Sequence, residues 1–524
     1  MPPIADHETR LTQLLNQGSA ALLRGGLKGL EKESLRVDAK GCLVHTRHPE
    51  SLGAALTHPH ITTDYSEALI ELVTPPLTTV TETLGFLCDI HSFVYQHIEG
   101  EMLWATSMPC ALDDDTNIPI ADYGRSNVGM MKHVYRRGLG WRYGRSMQTI
   151  AGVHFNYSFP ESLWPALRDL RQDRRPLREF VDETYFGMLR NFQRVSWLLL
   201  YFFGASPAVC KSFFHGRYPD FKEFDPHTLY EPYATSLRMS DIGYKNKNQA
   251  RVGVRYNSLS DYVDTLTHAI STPEPEFQRI GVKVDGEYRQ LNANILQIEN
   301  EFYSFARPKQ PINPGERAAL ALMKRGVMYI EIRALDVNAY DPVGADAASL
   351  RFIEALLAWC LLTDSPLVSD TEQQAIYGNQ SETARRGRDP ALRMLRAGRE
   401  VLLRDWAAEI IGQMDSICES LDGDDPSRPY SASLQARRQD LADTERLPSA
   451  RVLDDMRAHG ESFFGFAKRL SETHRDFFLQ RRLPDTTEQT FQRLAVESLE
   501  KQQQLEATDT LSFDEYLQQY FSQT

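Results

Sequence analysis

The stretch Gly29–Val37, "GLEKESLRV", decides how this chain is read. Along a strand, successive side chains point to opposite faces. Glu31, Glu33 and Leu35 therefore share one face, and Lys32, Ser34 and Arg36 the other. Two carboxylates about 7 Å apart on a buried face repel and desolvate each other. Either this face is a solvated edge, or positive charge sits between the acids. Two other segments repeat the puzzle. "TTDYSEALIELVTP" (62–75) carries Asp64, Glu67 and Glu71. Strand and helix would both align Glu67 with Glu71, so periodicity leaves that element open. In "YIEIRALDV" (329–337), Tyr329, Glu331, Arg333 and Leu335 lie opposite Ile330, Ile332 and Ala334. Taken singly, each acid reads as solvated surface, where charged residues mostly sit. Taken together, three apolar strands each carry Glu where an inward residue belongs. That pattern suits hard divalent cations, which take oxygen ligands and bridge carboxylates to phosphates.

The segment "QTIAGVHFNYSF" (148–159) alternates cleanly, with Ala151, Val153, Phe155 and Tyr157 on one face and Gln148, Gly152, His154 and Asn156 on the other. His154 alone reads as a satisfied half-buried histidine, and its polar neighbours make it a candidate ligand. Arg136, Arg238 and Arg333 read equally as salt-bridge partners or as guanidinium clamps on a carboxylate or phosphoryl group. No G-x-x-x-x-G-K-[ST], G-x-S-x-G or H-E-x-x-H motif is present, which weakens P-loop, serine-hydrolase and metalloprotease readings. "GLGWRYG" (138–144) is one residue off the dinucleotide fingerprint and outside any βαβ unit.

Composition sets the bounds. The 524 residues are 42% apolar and 25% charged, ordinary for a globular protein. With 58 basic against 71 acidic residues, the net charge of −13 disfavours nucleic acid or an anionic membrane as main partner. The six cysteines show no C-x-x-C spacing, which suits a reducing compartment. "MPPIADHETR" lacks the apolar run of a signal peptide. The longest uncharged apolar stretch, 195–210, is broken by Gly204 and Pro207 and is too short to span a bilayer. A soluble, cytoplasmic protein is expected.

Helical spacing is predicted over 8–24 and 84–98, and strands over 27–37, 67–75, 148–159, 291–303 and 329–337. From about 372 the chain reads as helical, with loop-like pieces at 377–389 and 422–433. No repeat or long linker divides residues 1–524, so one domain is expected. The fold class is α+β with an antiparallel-rich sheet whose polar face lines a cleft.

"GLEKESLRV", "LTHPHITTDYSEALIELVTP", "SMPC", "YGRSNVGMMKHVYRRGL", "MQTIAGVHFNYS", "FFGASPAVC", "PYATSLRMSDIGY", "LQIENEFYSFARP" and "YIEIRALDVN" closely resemble, in order and spacing, the proteobacterial-type glutamate–cysteine ligases. The resemblance covers roughly residues 20–365, and the C-terminal third matches more loosely. It implies a curved, mostly antiparallel sheet forming a cup like that of glutamine synthetase, with surrounding helices. It also implies ATP-dependent joining of L-cysteine to the γ-carboxylate of L-glutamate through γ-glutamyl phosphate, the first step of glutathione synthesis. A related ligase using another amine acceptor is the alternative.

Metal ligands then fall on Glu31, Glu33, Asp64, Glu71, His154 and Glu331, holding more than one Mg²⁺, with Mn²⁺ as the alternative ion. The cysteine pocket falls on Tyr135, Leu139, Gln148, Tyr244 and Tyr303. The arginines near phosphoryl or carboxylate groups fall on Arg136, Arg238 and Arg333, with Arg136 and Arg333 expected to be catalytic and Arg238 to bind substrate. A monomer and feedback inhibition by glutathione are also implied. Some members carry a disulfide from the position of Cys110 to a cysteine near that of Arg168. This chain has no cysteine there, so all six thiols are expected free.

Overall fold

A computed structural model describes residues 7–16, 18–112, 114–243 and 252–523. Its centre is a seven-stranded, wholly antiparallel sheet built from β1 (Leu27–Asp38), β2 (Ile61–Thr63), β3 (Leu69–Val73), β4 (Glu101–Leu103), β5 (Val153–Ser158), β6 (Ala306–Lys309) and β7 (Tyr329–Leu335). The strands run β6-β7-β5-β1-β3-β2 across the sheet, and β4 pairs with the far end of β1.

Register explains the acid-bearing face. Glu31 stands directly opposite His154, Glu33 opposite Glu71, and Glu331 opposite Asn156. Directly paired residues of an antiparallel ladder share a face, so acids dispersed over 300 residues of sequence meet on one side. On the other side Leu30, Ile70, Leu72, Val153, Phe155, Tyr157, Ile330 and Ile332 are buried in the core. Helices Val80–Tyr95 and Trp197–Phe203 pack against this sheet. Val80–Tyr95 begins in a capping box in which Thr79 and Glu82 satisfy each other's backbone amides, three residues beyond Pro76.

Charged residues interrupt the apolar side, Lys28, Lys32 and Arg36 among them, with Arg36 paired to Glu101 at 2.7 Å. Lys28 reaches Glu354 of helix Ala347–Leu362 at 3.1 Å. The same carboxylate accepts hydrogen bonds from Tyr157 (3.2 Å) and Tyr430 (2.8 Å). Lys32 lies in an enclosed spot with His91, Asp341 and His474.

Several expectations are corrected. Segment 291–303 is no strand; it is a hydrogen-bonded loop ending in the short turn Glu299–Glu301, and the strand follows at β6. Gln290, Asn292 and Gln297 bond to nearby backbone groups, competing with ladder formation. Residues 377–386 belong to helix Asp370–Arg386, capped by Ser369, and 422–433 is a loop only up to Arg428. The helical C-terminal third also contains a hairpin, Arg393–Arg396 with Arg399–Leu402. The predicted strand 148–159 begins at Val153, after a tight turn at Ser146–Thr149. The ambiguous 67–71 segment resolves as a strand from Leu69, with the Glu67 carboxylate accepting the backbone N–H groups of His48 and Asp122.

The thiol expectation is overturned. Cys110 is bridged to Cys210, with Cα atoms 5.3 Å apart, so the six thiols are not all free. The partner is at the end of "FFGASPAVC", where the short strand Ala208–Cys210 brings it to Cys110.

Buried histidines make stability acid-sensitive. Burial, with His60 and Lys501 nearby, lowers His58 to about 4, and burial beside Lys32 lowers His474 to about 4. Unfolded imidazoles take up a proton near 6.5, so between about pH 6.5 and 4 the unfolded chain binds more protons and stability falls as pH falls. Asp341, raised to about 6 by burial, works the other way below that pH and offsets about one proton. Glu33, raised by burial to about 8, and Glu71, pushed well above the usual range, also oppose the histidines in this window, so the check is a difference. Between pH 6.5 and 4, His474→Asn should lower the slope of stability against pH by about one proton, or ~1.4 kcal/mol per pH unit, relative to the unaltered protein in urea unfolding. An unchanged slope in the variant would mean that His474 is protonated in the fold.

Candidate active site

The acid-bearing face is a pair of interlocking donor clusters centred on one histidine. Ligand-type atoms of Glu31, His154 and Glu331 lie within 4.8 Å of one another, as do those of Glu33, Glu71 and His154. His154 Nδ1 is 3.1 Å from Glu31 and 3.8 Å from Glu331, and its Nε2 is 3.6 Å from Glu33. Second contacts hold the acids in place. The Gly152 amide donates to Glu33 at 2.7 Å, and the Asn156 side-chain amide donates to Glu31 at 2.9 Å.

Electrostatics describe a site short of positive charge on one side. Burial, then the charge of Asp64, raises the Glu33 carboxyl to about 8. Burial and the charges of Glu31, Asp64 and Glu33 push Glu71 well above the usual range. Burial also works against the charged form of Glu331, but Lys309, Arg333 and Arg307 overcome it and hold that carboxyl well below the usual range. Burial and Glu331 push Glu31 up, and its hydrogen bond to His154, with Lys309, outweighs them. His154 is kept below its ordinary value by burial and Arg333, which favours the neutral imidazole, the form that donates a lone pair.

The donor set fits hard divalent cations. Glu331 Oε2 is buried without a hydrogen-bond donor, with Lys309 Nζ 3.5 Å away. A cation would relieve the repulsion that raises Glu33 and Glu71, and carboxylates with one imidazole suit Mg²⁺ or Mn²⁺.

A cavity of about 360 Å³ opens over this face. Of the residues expected at the site, Glu31, Asp64 and Glu331 line it with Arg136 and Arg333, and Tyr135, Leu139, Gln148 and Tyr303 form part of its wall. Tyr135, Arg136 and Leu139 come from helix Asn127–Tyr143, which starts at Ser126, whose hydroxyl accepts the Gly129 amide. Arg136 donates to the Asp64 carbonyl and lies 4.7 Å from the Tyr123 ring centre. Arg333 reaches Glu331 at 3.0 Å.

Arg238 is placed differently from the expectation. It is 1% exposed and stands behind the cavity, donating to the Arg333 carbonyl at 3.2 Å and 3.7 Å from Asp336. It fits there because residue 152 is glycine; a Cβ at that position would lie 2.0 Å from the Arg238 guanidinium. Tyr244 lies outside the described residues.

Sequence reasoning missed Lys132, Asn300, Arg307, Lys309, Tyr516 and Tyr520, all of which line the cavity. "ARPK" carries its two cations at i and i+2, which would have put both on one strand face, and Arg307 is indeed paired directly with Glu331. Lys132 is lowered to about 8 by burial and Arg136. "FDEYLQQYF" spaces its tyrosines i, i+4, a helix-face signal.

Known proteins with this arrangement are identifiable. Residues 11–383 match the family described as glutamate–cysteine ligase. A glutamate–cysteine ligase of Alcanivorax borkumensis is 48% identical over 98% of this chain and 99% of its own length. One of Pseudomonas aeruginosa is 46% identical over 98% and 97%. Among solved structures, a glutamate–cysteine ligase from Francisella tularensis in complex with AMP superposes with a TM-score of 0.90 at 34% identity, over 95% of this chain and 98% of that one. With both halves of the donor cluster inside the matched region and similarity running nearly end to end, the chain belongs to the glutamate–cysteine ligase family.

Proposed function

We propose that this ligase joins the amine of L-cysteine to the γ-carboxylate of L-glutamate, converting ATP to ADP and phosphate and giving γ-glutamylcysteine for glutathione synthesis. The observation that carries this reading is one cavity lined together by Glu31, Asp64 and Glu331, by Arg136, Arg333 and Lys309, and by tyrosines. The sheet is read as the cup of the glutamine-synthetase type, with Glu31, Glu33, Asp64, Glu71, His154 and Glu331 holding more than one Mg²⁺ ion.

A carboxylate and an amine do not condense at neutral pH without activation. The glutamate γ-carboxylate attacks the γ-phosphorus, the bridging oxygen leaves with ADP, and γ-glutamyl phosphate forms. The cysteine amine then attacks the acyl carbon, phosphate departs and the nitrogen gives up a proton. The first step brings two anions together. Arg333 and Lys309, on adjacent strands, supply positive charge at that point, and Arg136 supplies it from the helix side. Mg²⁺, which Glu31, Glu33, Asp64, Glu71, His154 and Glu331 would hold, would supply further positive charge to offset the same repulsion. Arg238 holds the backbone of Arg333, which fixes where that guanidinium starts.

Tyr135, Leu139, Gln148 and Tyr303 shape a small acceptor pocket. A thiol behaves much like a small hydrophobe. ADP release should therefore be fastest with cysteine, with 2-aminobutyrate about 5- to 150-fold lower in kcat/KM, the usual range for one small group in an apolar pocket. Serine should be poorer still. The measurement uses saturating glutamate and Mg-ATP against a panel of amines. Ammonia or a polyamine outrunning cysteine would replace this reading with a ligase for another acceptor.

A further inference from the structure

Helix Phe513–Phe521 lies at the surface, with Asp514, Glu515, Gln518 and Gln519 exposed, and turns one face into the active cavity. Tyr516 and Tyr520, four residues apart and so on one helix face, line the same space as Glu31, Glu331 and Arg333. The helix is fastened on both sides. Ser512 and Glu515 form a capping box at its start, and Asn127 donates to the Leu511 carbonyl at 3.0 Å. Phe513 meets the Tyr288 ring edge-on at 5.2 Å, and Leu517 is buried with Met131, Val134 and Leu291. Beyond the helix, Arg317 donates to the Gln523 carbonyl at 2.9 Å while pairing with Glu299 at 3.0 Å, and the Gln523 side chain donates to the Gly315 carbonyl at 2.7 Å. These anchors tie residues 511–523 to helix Asn127–Tyr143 and to the 299–317 segment, both of which also line the cavity.

The cavity is chemically divided. Its sheet side carries Glu31, Glu331, Arg333 and Lys309. On the side of the terminal helix, Met131 and Ile298 pack in one cluster with the two tyrosines, and Ile312 and Glu316 also line the cavity. Ile312 is 57% exposed, which marks that side as the rim, and Glu331 at 1% marks the other as the floor. Glutamate is charged at both ends and cysteine carries only a small thiol beyond the charged groups on its α-carbon, so neither has a flat apolar surface to offer this rim. The heteroaromatic base of the nucleotide does, and a base gains contact energy against tyrosine rings whatever its hydrogen-bonding edge.

We propose that Tyr516 and Tyr520 are specificity-determining residues that receive the nucleotide base, so that helix Phe513–Phe521 completes the nucleotide site. The proposal rests on the ligase reading above. Its test compares the full-length protein with Tyr516→Ala, Tyr520→Ala and the two Tyr→Phe variants. Each Ala variant should raise KM for ATP by about 5- to 150-fold, the range for losing one base–aromatic contact. KM for glutamate and for cysteine should stay within about twofold, and the Phe variants should keep wild-type values. Calorimetric titration with AMP, which needs no turnover, should weaken in parallel. Inhibition by inorganic tripolyphosphate, which has no base, should be the same in all variants; its loss would show that the Ala changes disturb the floor and would overturn the proposal. An unchanged AMP affinity, or a rise confined to KM for cysteine or glutamate, would overturn it too. Absence of ligase activity in the unaltered protein would instead remove the ligase reading itself.

Discussion

Replacing Glu31 or Glu331 by glutamine should lower turnover by at least about 100-fold, the range for losing a key electrostatic contact in a transition state. Both carboxylates touch His154 and face the cavity, and Glu331 has a buried oxygen without a donor. Glutamine keeps the shape and one acceptor oxygen but removes the charge. A second readout separates cation binding from other effects: the free Mg²⁺ concentration for half-maximal rate should rise in both variants. Glu331→Gln also removes the charge that Arg333 and Lys309 face, so a matched urea midpoint is the control that the lost rate is not a lost fold. Unchanged rates and Mg²⁺ requirement in both proteins would sink the assignment of this face to cations.

The second large effect is on stability. Glu354→Leu should destabilise by about 3–5 kcal/mol, the cost of stranding a buried charge, against a total of roughly 5–15 kcal/mol for a domain. Lys28 is 2% exposed and would keep only carbonyl partners at Gly26 and Thr78, each at 2.9 Å. Tyr157 and Tyr430 would also lose their acceptor. Lys28→Met should cost less, because burial already raises the Glu354 carboxyl toward its neutral form and both tyrosine hydroxyls still reach it. The double variant should recover part of the loss, and a double-mutant cycle from urea unfolding measures the coupling. A change below about 1 kcal/mol for Glu354→Leu would mean that water reaches Lys28.

What could be read from the sequence follows range of interaction. The acids of β1, β3 and β7 were legible because a period of two and an unexpected charge are local facts. Their meeting was not, since Glu31 and His154 are 123 residues apart and only register pairs them. The alternating stretch at 291–303 misled, because its amides and acids satisfy the loop's own backbone and leave nothing for a ladder. The polar run "GNQSETARRG" gave no apolar stripe, yet it is helical because Asn379, Gln380 and Thr383 bury their side chains through hydrogen bonds, Thr383 donating to the Asn379 carbonyl. Cys210 could not be matched to Cys110 without the short strand that positions it. The tyrosines of the terminal helix lie 180 residues or more beyond the other groups of the cavity, and no local pattern connects them.

The order of strands in the sheet also sets a timetable. β1 finds β3 and β5 as neighbours by residue 158, but the outer edge of β5 pairs with β7, which begins at residue 329. At synthesis rates of 5–20 residues per second, those 171 residues take roughly 10–35 s. During that interval a nascent chain shows a bare strand edge beside His154 and has no Glu331 to complete the first donor cluster. Such edges invite pairing with other chains, and contacts this distant close slowly in refolding as well. Fragments ending before residue 331 should therefore be prone to aggregate and should lack the Glu331 arm of the donor cluster.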